Sequence, residues 1–468
     1  MGNASNMHDT TVPTKETASV SHWLHLLVSA GHPALVAGPA GAGKTLMVQS
    51  LRLAPARRFA KVDLNYYSCA HLGRTHLSRA WRTAAGSGTV VFFVDDLNLP
   101  RKDDFETQPA LEVFRHHLDY GEWDDSGQAV KRFSDSQYVA CLDPDRGAIN
   151  PRLRRHFSTL ALGAPCAASV KTIFEALFRA GGVSSGASEA MVESSVDLHL
   201  RVSAQFRPDP GHGGFNLAHL VRLCRSLATF AKKHDVLLWA HEAERTYGDA
   251  LARADRVAHF RTTLAETAKV HFPNAPDDVF GEHAKPLVFC GLGEYGLADD
   301  LDSLSRTFSS ALAGTGLEDF CFFHDAVCHV ARALRVIQHG GPLILVGGPG
   351  CGKKSVAEMA AVLAGQTVRR VSKNADTEHA FQKELQDVIK AAKNGPTTLL
   401  VADSDVADER SWVPLEACVK GDLDSLLSPD ERTTDGAFPE GLHLRVVLCL
   451  SPDGLRRHGP APQSRKTA

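Results

Sequence analysis

The chain has 468 residues, of which 43% are hydrophobic and 22% are charged, values that are typical of globular domains and exclude a largely disordered chain. Its 51 Lys and Arg residues nearly balance its 54 Asp and Glu residues, giving a net charge of −3, so charge offers no general reason to expect nucleic acid or a membrane as a partner. The length allows for two or three domains, and the ten cysteines, which include no C-x-x-C pair, predict the reduced thiols of a cytoplasmic protein.

The first predicted elements are an amphipathic helix that begins near Ser19 and a short apolar strand at 34–37. The strand runs into a loop that fits the pattern G-x-x-x-x-G-K-[ST] in its required strand-to-helix context. The residues of this loop are Gly38, Pro39, Ala40, Gly41, Ala42, Gly43, Lys44 and Thr45. Backbone N–H groups of such a loop surround phosphates. The pattern predicts a nucleotide site in which Lys44 reaches the β- and γ-phosphates and the Thr45 hydroxyl binds Mg²⁺; an ordinary glycine turn is the alternative.

Two further apolar strands are predicted at 61–66 and 89–94, and the second of them ends in Asp95 and Asp96. Acidic residues at such a strand end, downstream of a phosphate loop, are typical of sites for phosphoryl transfer. We expect Asp95 to hold Mg²⁺ through water and Asp96 to polarise the attacking water. The alternative is a strand that simply ends at an acidic turn.

A fourth strand is predicted at 137–142, followed by Asp143 and by a basic cluster at 152–156. The alternative for the cluster is a solvated charged surface. From about 167 to 272, apolar residues recur at spacings of three and four, which predicts a block of helices. A helical block after an α/β block is the arrangement of a lid.

The second half of the chain repeats the first. A strand at 342–346 enters a second phosphate loop, whose candidate binding residues are Gly347, Gly350, Gly352, Lys353 and Ser355. Lys44 precedes Asp95 by 51 positions and Lys353 precedes Asp403 by 50, while Asp143 and Ser451 both follow their acidic strand end by 48. These spacings predict an internal duplication with a period of about 309 residues, and copies that lie side by side in a ring or arc.

The order of these features, with the core duplicated, resembles the AAA+ ATPases. The resemblance narrows to the third and fourth AAA+ modules of dynein heavy chains of the axonemal type. The residues that carry it are 94–100, 108–112, 121–123, 150–157, 215–217 and 238–256 in the first copy, and 323–326, 372–374 and 402–406 in the second. It extends from about Val12 to about Arg457, which is nearly the whole chain.

The resemblance implies an α/β fold of two tandem P-loop AAA+ modules, each a parallel sheet flanked by helices, with an α-helical lid after the first. We expect a flexible N-terminus at 1–15, a first large subdomain at 16–164, the lid at 165–272, a second large subdomain at 273–457 and a divergent tail at 458–468.

Dynein heavy chains are microtubule motors with six such modules in one polypeptide. The resemblance therefore implies an ATP-binding segment that contributes to minus-end-directed ciliary or flagellar movement within a larger complex. The implied partners are the remaining heavy-chain modules and the dynein intermediate and light chains, and microtubules only indirectly, because nothing in this chain resembles the stalk. The implied location is the cytoplasm and cytoskeleton, in the axoneme of a cilium or flagellum.

We expect that this polypeptide alone does not walk, and that it is a fragment, a split gene product or a degenerate paralogue. Two other functions stay open. One is a non-catalytic AAA+ remnant that acts as a scaffold, and the other is an independent AAA+ remodelling ATPase that forms its own ring.

At the first site the resemblance implies ATP and Mg²⁺ as ligands, with hydrolysis slow or absent. Asp96 stands where AAA+ sites usually have Glu, and Asp143 stands at the sensor position. Ala218 stands where dyneins usually have the sensor Arg. The arginine that completes this site from the next module would be Arg456 or Arg457, while Arg152 and Arg155 would serve the preceding module.

The second site departs further from the pattern. Lys354 replaces the Ser or Thr that binds Mg²⁺, with Ser355 one position later, and Ser404 replaces the catalytic acid. Because serine cannot act unaided as a general base, we expect this module at most to bind nucleotide.

Overall fold

The computed structural model describes residues 12–51, 57–83, 89–123, 131–132, 135–181, 188–206, 214–230, 236–251, 253–273, 276, 287–292, 295–298, 300–339, 341–371, 378–406, 411–420 and 443–451. The chain divides into two compact units, Met1–Lys285 and Pro286–Ala468. None of the helices within the described ranges is long and apolar enough to span a bilayer.

The α/β part of the first unit alternates strands and helices. In chain order its elements are α1 Lys15–Ser29, β1 Ala34–Ala37, α2 Lys44–Ser50, β2 Arg57–Asp63, α3 Ala70–Thr83, β3 Thr89–Asp95, α4 Pro109–Tyr120, β4 Glu122–Trp123, β5 Lys131–Arg132, β6 Ser136–Leu142, α5 Pro151–Arg154 and β7 Ser158–Ala161. Helix α1 begins where Thr14 and Thr17 cap each other's backbone N–H groups. Strands β4 and β5 form a separate antiparallel pair.

The main sheet of this unit is parallel, with the order β2-β3-β6-β1-β7. Strand β3 contributes apolar side chains to both faces of this sheet, because successive side chains of a strand point to opposite faces. Val90, Phe92 and Val94 pack into the hydrophobic core on one face, and Val91 and Phe93 pack into the core on the other. Helices cover both faces, as a parallel sheet requires.

A helical lid follows β7 in the same unit. Its elements are α6 Ala167–Ala180, α7 Ser188–Gln205, α8 Leu217–Phe230, α9 Val236–Thr246 and α10 Ala254–His271. Large aromatic side chains fill its interior, among them Trp239, Tyr247 and Phe260, each 0% exposed. The Trp239 indole Nε1 donates a hydrogen bond to Ser195 Oγ at 3.0 Å, which satisfies a donor that burial would otherwise leave unpaired.

The second unit repeats the α/β arrangement. Its elements are β8 Phe289–Cys290, β9 Gly296–Leu297, α11 Leu301–Leu312, α12 His324–His339, β10 Leu343–Val346, α13 Lys353–Leu363, β11 Thr367–Arg370, α14 Glu378–Asn394, β12 Thr397–Ala402, α15 Trp412–Lys420 and β13 Leu444–Leu450. Strands β8 and β9 form an antiparallel pair, and the main sheet is parallel with the order β10-β13-β12-β11.

The two main sheets have corresponding strand orders. If β10, β11, β12 and β13 are matched with β1, β2, β3 and β6, the four strands neighbour one another in the same sequence in both units. The predicted fold of two tandem P-loop α/β modules, the first followed by helices, is confirmed.

Candidate functional site

The first phosphate loop joins β1 to α2 with a backbone that requires glycine. Gly41 and Gly43 have φ angles of 77° and 89°, in the left-handed region that side chains disfavour. Gly38 needs to be glycine for a different reason, since a Cβ there would lie 2.3 Å from the carbonyl oxygen of Leu162. The sequence pattern thus corresponds to a defined loop shape.

Lys44 lies across this loop. Its Nζ donates hydrogen bonds to the carbonyl oxygens of Gly38 at 2.7 Å and Pro39 at 2.8 Å, and the residue is only 8% exposed. Two carbonyl oxygens of the loop therefore hold the Lys44 ammonium in place.

Thr45 and Asp95 are brought together by the sheet. Thr45 lies at the start of α2, and its hydroxyl donates to Asp95 Oδ2 at 3.0 Å. Burial, followed by the neighbouring charge of Asp96, raises the pKa of Asp95 above its ordinary value. A hydroxyl and a partly buried carboxylate form a donor set of hard oxygens, which fits Mg²⁺.

Asp96 continues the strand end with unusual backbone geometry. Its φ angle is +48°, a conformation uncommon outside glycine and often found at functional sites. Its N–H donates to Asp95 Oδ1 at 3.1 Å. The turn therefore holds the Asp95 carboxylate through the backbone of the residue that follows it.

Asp143 follows the neighbouring strand, β6, and is buried. Its carboxylate accepts the N–H of Asp145 at 3.1 Å, and its Oδ2 lies 3.6 Å from Arg146 Nε. Strands β3 and β6 are paired in parallel, so the structure places Asp95, Asp96 and Asp143 at the same edge of the sheet.

Asn98 joins the two strand ends, a role that its place in the motif did not indicate. Its Nδ2 donates to the carbonyl oxygens of Asp143 at 2.7 Å and Gly147 at 2.9 Å. The turn after β3 is thereby tied to the turn after β6. In the sequence Asn98 is only a polar residue close after an acidic strand end, and neither its burial nor its two partners can be read there.

The lid contributes Asn216 to the loop. A Cβ at Gly41 would lie 3.1 Å from the Asn216 side chain, and Asn216 Oδ1 accepts the N–H of Ala218 at the start of α8. Arg222, the nearest basic residue to Ala218 along α8 in the sequence, is exposed.

Two of the arginines predicted to act at nucleotide sites lie at the surface. Arg152 and Arg155 are exposed, and Arg155 Nη2 donates a hydrogen bond to Asp119 Oδ1 at 2.9 Å. Arg456 and Arg457 lie outside the described residues, as do residues 372–374.

The second phosphate loop has the same backbone conformation as the first. Gly350 and Gly352 have φ angles of 76° and 81°. Lys353 Nζ donates to the carbonyl oxygens of Gly347 and Gly348, both at 2.7 Å, just as Lys44 does in the first loop. The predicted binding residue Ser355 lies in the first turn of α13 and is partly buried.

The surroundings of the second loop differ from those of the first. Lys354 Nζ lies 3.8 Å from Asp405 Oδ1. Asp403 Oδ2 accepts hydrogen bonds from the N–H of Ser451 at 3.0 Å and from its hydroxyl. Neither contact has a counterpart at Thr45 and Asp95.

Two family models match the chain. Residues 2–165 match the model described as "P-loop containing dynein motor region", and residues 319–434 match "P-loop containing dynein motor region D4". The second match confirms the assignment of the second copy to the fourth module.

Similar curated proteins are dynein heavy chains. The chain is 27% identical over 511 residues to dynein axonemal heavy chain 11 of Sus scrofa, an alignment that covers 95% of this chain and 11% of that protein. It is 30% identical over 467 residues to the dynein alpha chain, flagellar outer arm, of Chlamydomonas reinhardtii, covering 90% and 10%. It is 29% identical over 464 residues to the dynein beta chain, ciliary, of Tripneustes gratilla, again covering 90% and 10%. The chain spans about a tenth of the length of the curated relatives it matches.

Proposed function

Because the chain belongs to the family of dynein heavy-chain motor regions, we propose that it is a motor segment that binds Mg-ATP at its first phosphate loop and contributes to microtubule-based movement within a larger complex. The observation that carries the nucleotide part is the hydrogen bond of 3.0 Å between Thr45 and Asp95, at the mouth of a loop with the required glycine conformations. The motor part is supported by the names of the matched relatives and by the share of this chain, 90–95%, that their alignments cover.

Each residue of the first site has a separate task. Lys44 places its ammonium against the β- and γ-phosphates. Thr45 and Asp95 would hold Mg²⁺, which when bound neutralises phosphate charge. Asp96 accepts a hydrogen bond from the attacking water, and Asp143 orients its surroundings from the adjacent strand.

Turnover at this site is slow. A general base must lie within hydrogen-bond distance of the water that it activates. Asp96 has one methylene fewer than glutamate, and its backbone is fixed at φ +48°, so its carboxylate has a shorter reach. The second module lacks an acid at the corresponding position, Ser404, and contributes no turnover.

The proposed setting is the axoneme of a cilium or flagellum, and the words axonemal, flagellar and ciliary in the names of the matched relatives support it. There the chain would act with other heavy-chain modules and with intermediate and light chains, and would reach microtubules indirectly.

The nucleotide part is tested with a fluorescent ATP analogue, titrated with and without Mg²⁺ in a Lys353→Ala background that removes the second loop's contribution. We expect Mg²⁺ to tighten binding by about tenfold or more, which corresponds to about 1.4 kcal/mol. Thr45→Val removes the hydroxyl at nearly constant size and should abolish this Mg²⁺ effect, whereas Thr45→Ser should retain it. A Thr45→Val protein with the full Mg²⁺ effect would contradict the assignment.

The motor part is tested by replacing the matched segment of a ciliary heavy chain with this chain and measuring microtubule gliding. We expect gliding to persist and to slow when Lys44→Ala is introduced into the replacement. Gliding at an identical speed with both replacements would instead favour the scaffold function.

A further inference from the structure

The second phosphate loop has an ammonium group where the first has a magnesium ligand. Lys354 follows the loop lysine directly, as Thr45 does in the first copy. Its Nζ lies 3.8 Å from Asp405 Oδ1, with the Asp405 side chain only 7% exposed and that of Lys354 42% exposed. Lys354 therefore brings a positive charge to the sequence position that the proposed magnesium ligand Thr45 occupies in the first copy, and this charge pairs with a carboxylate beside the second loop.

The carboxylates beside this loop are already satisfied by protein donors. Asp403 Oδ2 accepts the N–H and the hydroxyl of Ser451. Asp405 accepts the N–H of Ala402 at 3.0 Å and the Ser404 hydroxyl at 2.9 Å. A metal ion would have to compete with these hydrogen bonds for the oxygen lone pairs that it needs.

The formal charges of the two sites lead to the same conclusion. Lys44 and the three carboxylates at the same edge of the sheet, Asp95, Asp96 and Asp143, sum to −2, and a dication would bring that site to zero. At the second loop, Lys353 and Lys354 balance Asp403 and Asp405, so a dication would add positive charge to a site whose formal charge is already zero. The second site does not fit Mg²⁺.

The loop itself remains able to bind phosphate. The glycine conformations and the two hydrogen bonds of Lys353 match those of the first loop. Helix α13, which follows the loop, has eleven residues, and its N-terminal N–H groups favour an anion.

We propose that the second phosphate loop binds a nucleoside diphosphate without Mg²⁺, with the Lys354 ammonium supplying the positive charge that the metal supplies at the first loop. This rests on the proposed function, in which both loops are nucleotide sites. A diphosphate is the better ligand because it carries less negative charge than a triphosphate, and a single lysine ammonium supplies less positive charge than Mg²⁺.

The test is a titration of the full chain carrying Lys44→Ala, which isolates the second loop, with a fluorescent ADP analogue in EDTA and in millimolar MgCl₂. We expect the two dissociation constants to agree within about threefold. In the same background, Lys354→Thr should weaken binding of the ADP analogue in EDTA by about tenfold or more. Adding Mg²⁺ to this variant should restore part of the lost affinity. Lys354→Arg keeps the charge and should stay independent of Mg²⁺, while Lys353→Ala should abolish binding in both conditions.

Each outcome separates this inference from the proposed function. The inference of a Mg²⁺-independent second loop would be overturned if Mg²⁺ raised the affinity of the Lys44→Ala protein for the ADP analogue tenfold. It would also be overturned if adding Lys354→Thr left the affinity in EDTA unchanged. Absence of binding by a folded Lys44→Ala protein, when the wild type binds, would overturn it and leave the first site intact. Absence of binding by the wild type would overturn the proposed function. Far-UV circular dichroism and the thermal midpoint establish that each variant is folded.

Discussion

Asp95 and Asp403 end equivalent strands in the two units, yet their environments differ. Asp95 accepts the Thr45 hydroxyl and remains under-neutralised, with a raised pKa that comes first from burial and then from Asp96. Asp403 is bonded to Ser451 instead. The loops also differ at the residue after the loop lysine, where Thr45 contacts Asp95 in the first unit and Lys354 lies 3.8 Å from Asp405 Oδ1 in the second.

At neutral pH, Asp95→Asn should stabilise the ligand-free protein. The same substitution should weaken Mg²⁺-dependent ATP binding by about tenfold or more. A carboxyl with a raised pKa in the folded state favours folding when protonated, and this contribution is lost as pH rises through the folded pKa. Asparagine has no such charge, and the Thr45 hydroxyl can reverse its hydrogen bond. Thermal midpoints at pH 4 and 7 measure the effect.

The expected midpoint difference between Asp95→Asn and wild type is larger at pH 7 than at pH 4. A variant that is less stable than wild type at both pH values would contradict the assignment of an under-neutralised carboxylate.

Asn98→Ala should destabilise the protein by about 1–3 kcal/mol, because it leaves the carbonyl oxygens of Asp143 and Gly147 without their buried donor. The matched control is Lys102→Ala, which removes an exposed ion pair with Glu106 and should change stability by about 0.5 kcal/mol or less. Chemical denaturation of both variants measures the two changes. Equal effects would show that Asn98 does not bridge the two turns.

The residues of the two phosphate loops could be predicted from sequence because their pattern specifies backbone conformation and charge together. Two features could not be predicted. The Asn98 bridge depends on the register of β3 and β6, and the pairing of Lys354 with Asp405 depends on which side chains face one another across a loop. Both are properties of tertiary packing that residue spacing does not encode.

At the scale of elements, the lid is organised around buried aromatic and imidazole groups. His199 on α7 is buried, and its Nδ1 lies 3.1 Å from the Tyr247 hydroxyl. Burial, with a smaller effect from His219, lowers the pKa of His199 to about 4. This histidine therefore remains neutral in the folded lid at physiological pH.

Acidification should destabilise the lid through His199. The unfolded chain takes up a proton near pH 6.5 and the folded chain only near 4, so this stability contribution is present above 6.5 and is lost as pH falls. Between pH 7 and 5 the loss is about 2 kcal/mol. His199→Gln keeps hydrogen-bonding capacity without titrating and should lack this component. Urea unfolding of both proteins at the two pH values measures it, and identical pH dependence would contradict the assignment.

The bounds of strands follow the sequence where burial is two-sided. Strand β3 was predicted at 89–94 and is Thr89–Asp95, because its apolar run is covered on both faces. The apolar pattern predicts β2 at 61–66, but the strand begins and ends earlier, at Arg57–Asp63. Asn65 accepts the N–H of Tyr67 at 2.9 Å and turns the chain, and this local hydrogen bond outweighs the apolar pattern.

At the scale of the whole molecule, the duplication seen in residue spacing corresponds to two sheets with matching strand orders. The copies have diverged in their sites more than in their folds. Strand order depends on many apolar residues, whereas the proposed difference in magnesium requirement depends on a few.

The most direct test of the account is a calorimetric titration of Mg-ATP into wild type, Lys44→Ala and the surface control Lys102→Ala. We predict a Mg²⁺-dependent binding event in wild type and Lys102→Ala that is absent from a folded Lys44→Ala protein. A Mg²⁺-dependent event of equal affinity in all three proteins would contradict the account, because nucleotide would then bind somewhere other than the loop that holds Lys44, Thr45 and Asp95.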